Sequence, residues 1–117
     1  MSQFAADLEE HVLKYQNPFV EMDGGKEMVL LNALLGLCGE SGEDSEVYKK
    51  HVFQGHKLDK DKLVRELGDV LFYLGLAAYS LNIDIHTMFL ANQEKLSARY
   101  GEGFMASKSV NRSETSE

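Results

Sequence analysis

Proline, cysteine and tryptophan are nearly missing from this chain, and cations are scarce beside acids. Its 117 residues hold one proline, one cysteine, no tryptophan, and 12 Lys+Arg against 19 Asp+Glu. A lone Cys38 excludes an internal disulfide framework and fits a reducing compartment, so a cytoplasmic protein is expected. The net charge of −7 argues against nucleic-acid or membrane-surface partners, which favour basic patches. The apolar runs near residues 28–38 and 70–81 fall short of the roughly 20 residues a membrane span needs. The acidic start, MSQFAADLEEH, lacks a signal-peptide core. No stretch sustains two-residue alternation, so strands have no signal either.

What remains is helical patterning, and an all-α fold of four helices follows. Phe4, Leu8, Val12 and Tyr15 form an i, i+4, i+8 stripe on a first helix from Gln3 to Tyr15. Asn17-Pro18 ends it, and Asp23-Gly24-Gly25 completes a loop. A second helix runs from about Lys26 to Phe53, with Lys49, Lys50 and His51 suited to its C-terminus and Gly55 at the left-handed cap. Asp59 caps a third, which runs to about Leu81. Asp84 caps a fourth, ending near Tyr100, with Ile83 and Met88 placed as a hydrophobic staple. Residues 1–104 read as one domain, and 105–117 have almost nothing to bury and are expected to be a disordered tail. The middle helices are apolar on more than one side, as Leu30, Leu31, Leu34 and Leu35, or Val64, Leu67, Val70 and Leu71, illustrate. One short chain cannot cover two such rods, so homo-oligomerisation to a dimer or tetramer is expected to complete the bundle.

Two acidic pairs, Glu40/Glu43 and Glu66/Asp69, sit symmetrically about the interruption at Gly55. Side chains three apart share a helix face, so an antiparallel hairpin would turn the pairs toward one another. Spacing alone is weak evidence, because 19 acids give about three such pairs by chance and the chain has five. The apolar setting of Glu66 and Asp69 among Val64, Leu67, Val70 and Leu71 carries more weight. An enclosed carboxylate must be compensated, by a cation or by pairing with Lys62, Arg65 or nearby lysines on a solvated face. An all-carboxylate set without His or Cys prefers Mg²⁺, with Mn²⁺ able to substitute. Neither pair continues to a histidine at i+3, as di-iron bundles require. An EF-hand starting at Asp59 fails at Leu63 and Val70.

Magnesium without a protein cage usually arrives with phosphates. Asn92, Lys95 and Arg99 lie at i, i+3 and i+7 on the fourth helix and could cradle a polyphosphate; an ordinary amphipathic exterior would look the same. His51 and His56 flank the turn in either a ligand-contacting or a capping position.

These segments together are similar to a known family. LLGLCGESGEDSEVYKK, then HVFQGHKLDKDKLVRELGDVLFYLGLAAYSLNIDI, then NQEKLSARYGEGF resemble the MazG-like nucleoside triphosphate pyrophosphohydrolases over residues 28–104. The motif E-x-x-E, a spacer, E-x-x-D reads Glu40-Ser-Gly-Glu43, 22 residues, Glu66-Leu-Gly-Asp69. The resemblance implies cleavage of a nucleoside triphosphate between the α and β phosphates, giving a monophosphate and pyrophosphate. It implies Mg²⁺ on Glu40, Glu43, Glu66 and Asp69, phosphates on Lys95 and Arg99, and substrate contacts from Asn92 and Tyr73. Glu43 is the carboxylate favoured as proton acceptor. Two other readings stay open. One is a phosphoribosyl-ATP pyrophosphohydrolase, whose branch shows A-D-L-x-Y-H where this chain has Gly68-Asp69-Val70-Leu71-Phe72-Tyr73. The other is a non-catalytic helical oligomer that binds a nucleotide or partner.

Overall fold

The computed structural model describes residues 2–101, 103, 106 and 107, so most of the expected tail lies outside the described residues. Among the described residues there is no strand. Four helices follow in order: α1 Gln3–Tyr15, α2 Pro18–Phe53, α3 Lys60–Ser80 and α4 Ile85–Tyr100. None is long and apolar enough to cross a membrane.

The first three starts have a local cause. Ser2 Oγ accepts the Ala5 amide at 3.1 Å, Asn17 Oδ1 the Phe19 amide at 3.0 Å, and Asp59 Oδ1 the Lys62 amide at 3.0 Å. α2 begins earlier than the sequence suggests. Pro18 occupies the first helical turn behind the Asn17 cap, so residues 18–24 are helical rather than a loop. Only Gly25 breaks the helix, at φ 71° and ψ −173°, which leaves Lys26 starting the long straight portion. Proline breaks a helix that would have to continue through it from the preceding turn, and here α1 has already ended at Tyr15.

Met1–Ile85 form one compact unit, and a second begins at His86. In the first unit α3 packs along α2 and also against α1. The core is Leu8 and Val12 of α1, Val29 and Ala33 of α2, and Leu76 and Ala77 of α3. Contacts between α2 and α3 run in opposite directions along the two sequences, as in a helical hairpin. Tyr79 donates its hydroxyl to Glu21 at 2.5 Å, while Gly36 faces Tyr73 nearer the turn. The bond to Glu21, then burial, pushes the Tyr79 phenol above its ordinary value. The Lys26 ammonium lies 4.7 Å from the Tyr79 ring centroid and donates to Asn82, tying the segment after the kink to the end of α3.

Two glycines sit where the helices approach most closely. A Cβ on Gly75 would come within 2.9 Å of Val12, and one on Gly36 would stand 2.5 Å from Cδ1 of Tyr73. Away from this core, Leu31, Leu34 and Leu35 of α2 and Val64 and Leu67 of α3 are 47–63 % exposed in the single chain.

The hairpin turns through Gln54–Asp59. The amides of Gln54 and His56 both donate to the Lys50 carbonyl at 3.1 Å. This requires the left-handed φ of 71° at Gly55. His51 Nδ1 lies 2.9 Å from the His56 carbonyl oxygen, fastening the loop back onto α2.

Candidate metal centre

Glu40 and Glu43 project from α2, and Glu66 from the facing part of α3. One carboxylate oxygen from each lies within 4.8 Å of the other two. Glu40 and Glu66 are half-buried and Glu43 is exposed. Asp69 falls outside this set and is exposed, although its charge still acts on Glu40. The structure thus brings together three of the four carboxylates singled out by spacing.

Oε2 of Glu40 is shut off from solvent and has no hydrogen-bond partner. Burial raises the Glu40 pKa above its ordinary value; the negative charges of Glu43, Asp69 and Glu66 raise it further, as does a side-chain hydrogen bond with Glu43 that favours the protonated form. Oδ1 of Asp44, one turn on, is likewise enclosed and unpartnered. Among the described residues neither Lys62 nor Arg65 comes within 4 Å of a carboxylate, and the one ion pair at that distance, Lys49 with Glu46, leaves Glu40, Glu43, Glu66 and Asp69 without a cationic partner. Enclosed anionic oxygen without a donor is costly, and converging negative charge compounds the cost. A divalent cation answers both at once. The donors are all hard oxygens, which suit Mg²⁺ or Mn²⁺ better than Zn²⁺ or Cu²⁺.

One turn from Glu40 and from Asp69, Gly36 and Tyr73 meet across the helices. The half-buried Tyr73 ring lies over Gly36 and stands perpendicular to the Phe72 ring, at 5.3 Å between centroids. Asn92, Lys95 and Arg99 are on α4, in the second unit. Asn92 and Lys95 are exposed, while Arg99 is half-buried with its guanidinium 5.9 Å from the Tyr100 ring centroid.

A cavity of about 390 Å³ opens beside the carboxylates. Glu43 and Glu66 line it together with Lys50, His56, Lys57 and Lys62. Sequence reading assigned Lys50 to a helix end and Lys62 to a surface pair, and did not single out Lys57. The available signal was their density: six of the chain's 12 Lys+Arg fall in the 22 residues between Glu43 and Glu66.

The family model for the MazG nucleotide pyrophosphohydrolase domain matches residues 30–104. The chain is also 32 % identical over 82 residues to the Gene 37 protein of Mycobacterium phage L5, spanning 67 % of this chain and 72 % of that protein. No solved structure matches significantly.

Proposed function

Since the chain belongs to the MazG nucleotide pyrophosphohydrolase family, we propose that it hydrolyses a nucleoside triphosphate between the α and β phosphates, releasing a nucleoside monophosphate and pyrophosphate. The observation that carries this reading is the convergence of Glu40, Glu43 and Glu66, with an enclosed, unpartnered oxygen on Glu40. In this proposal the three hold Mg²⁺, or Mn²⁺ in its place, and Asp69 joins them. The cation supplies charge neutralisation for the phosphates and makes water a better nucleophile. Glu43, the exposed member of the three converging carboxylates, accepts the proton of the attacking water. Lys95 and Arg99 contact phosphate oxygens, joined by Asn92, and Tyr73 contributes to holding the nucleoside.

Homo-oligomerisation belongs to the same proposal. The half-exposed leucines and valines of α2 and α3 are the surface a dimer or tetramer would cover. Sedimentation analysis should give a multiple of 13.1 kDa. A stable monomer at micromolar concentration contradicts this part of the proposal.

Activity is tested by pyrophosphate release from a panel of ribo-, deoxyribo- and modified nucleoside triphosphates with Mg²⁺. Wild type should release pyrophosphate from at least one member, and Glu66→Gln should lose that activity by a factor of about 10² or more. Undiminished turnover in Glu66→Gln would remove the carboxylate assignment.

A further inference from the structure

The cavity beside the carboxylates carries cations that the proposed metal site does not use. Lys50 comes from the last turn of α2, Lys57 from the loop and Lys62 from the first turn of α3. Among the described residues none of the three lies within 4 Å of a carboxylate. Their charges therefore remain available to a ligand, despite Glu46 and Asp59 also lining the cavity.

The loop that gathers these lysines is tied down. Two hydrogen bonds from the Gln54 and His56 amides converge on the Lys50 carbonyl, His51 is fastened to His56, and Asp59 caps α3. An ordered loop carries its cations at low conformational cost, which favours binding over simple solvation of a surface.

Charge balance gives the cavity a condition. Four carboxylates face three lysines, so the lining by itself holds a one-charge excess of anion. One divalent cation shared by Glu43 and Glu66 with Glu40, which lies off the lining, would cancel two of the negative charges beside the cavity and leave the three lysines far less opposed. A cavity of this size accommodates two linked phosphates. Lysine is a point-charge phosphate binder that needs no fixed fork geometry.

We propose that Lys50, Lys57 and Lys62, with His56, form a subsite for the pyrophosphate end of the substrate, charged for binding only when the neighbouring carboxylates hold a divalent cation. The inference rests on the hydrolase reading for its ligand class, and its geometry lies wholly within the first structural unit. It assigns retention of the leaving group to the α2–α3 loop of this chain.

The test is calorimetric titration of inorganic pyrophosphate into the full chain, with Mg²⁺ and with chelator, for wild type, Lys50→Gln/Lys57→Gln and Lys50→Arg/Lys57→Arg. Both positions are exposed, so the variants should melt with wild type. Wild type should bind pyrophosphate with Mg²⁺ and at least about tenfold more weakly without it. The glutamine pair should lose about tenfold or more in affinity, and the arginine pair should recover most of it. In steady state the glutamine pair should raise KM for a triphosphate more than it lowers kcat. If the glutamine pair binds pyrophosphate as wild type does while wild type cleaves triphosphates, the subsite is wrong and the hydrolase reading stands. If wild type cleaves no triphosphate yet binds pyrophosphate through these lysines, the hydrolase reading fails and the subsite stands. Absence of pyrophosphate binding by wild type with Mg²⁺ overturns the subsite.

Discussion

Replacing Glu40 by glutamine should make the metal-free protein more stable and the metal-loaded protein less so. Glu40 has one oxygen enclosed without a partner and shares a 4.8 Å circle with carboxylate oxygens of Glu43 and Glu66. Two unit charges at that separation repel by about 0.9 kcal/mol in water and about 3.5 kcal/mol at an effective dielectric of 20. The cluster is partly exposed, so the lower end applies, about 1 kcal/mol for each pair relieved. Glutamine removes the charge while nearly preserving shape, and its amide can donate to Glu43 or Glu66. The expected gain in chelator is about 1–2 kcal/mol, a rise in Tm of the order of 4–8 °C for a chain of this length. With Mg²⁺ the order reverses. A cation present at a hundred times its Kd adds about 2.7 kcal/mol to wild type, and little to a variant with a weakened site. The assay is thermal unfolding of both proteins at one protein concentration, in chelator and across a Mg²⁺ series. A Glu40→Gln variant less stable than wild type in chelator would refute the reasoning, because Glu40 would then be a satisfied structural acid rather than a ligand awaiting its cation.

Other perturbations report on the scaffold and on the same charge cluster. Gly36→Ala should cost about 1 kcal/mol in urea unfolding. Forcing a methyl against the Tyr73 ring costs about 1–3 kcal/mol, and about 1 kcal/mol returns as helix propensity. In a Tyr73→Ala background the same change should become stabilising, and an unchanged sign would show that the ring is not what Gly36 accommodates. Gly25→Ala should destabilise by about 1–3 kcal/mol, because φ 71° with ψ −173° is open essentially to glycine alone; an unaltered urea midpoint would contradict the kink. The raised pKa of Glu40 means the folded state holds that proton more tightly than the unfolded chain. Its contribution is therefore fully present below the ordinary value of 4.5 and is lost as pH rises through the raised value. Metal-free wild type should lose stability over that interval, and Glu40→Gln should flatten the slope; equal slopes would remove Glu40 as the cause.

Much of the hairpin is legible in the sequence because its register is written twice. Glu43 with Glu66 and Glu40 with Asp69 are equally spaced about the point between Gln54 and Gly55, and the Gly36–Tyr73 contact found in the structure falls on the same register. Caps made the turn readable, since Gly55 at positive φ and Asp59 bonding the Lys62 amide are local devices. The start of α2 was harder. Gly24-Gly25 has loop chemistry, yet packing of Val20 on the core and the Tyr79–Glu21 bond hold the preceding turn as helix. In the site, spacing identified the face but not which oxygens converge. That depends on side-chain rotamers, and they leave Asp69 outside the set. The lysines of the cavity escaped because Lys50, Lys57 and Lys62 become neighbours only once the loop is closed. No helical period links them.

The central claim is that these carboxylates hold a divalent cation for cleavage at the α–β anhydride. Phosphorus NMR of the products formed from a turned-over triphosphate with Mg²⁺ tests it most directly. The account predicts nucleoside monophosphate and pyrophosphate in equal amounts, with no turnover in chelator. A nucleoside diphosphate with inorganic phosphate, or turnover that persists in chelator, would contradict it.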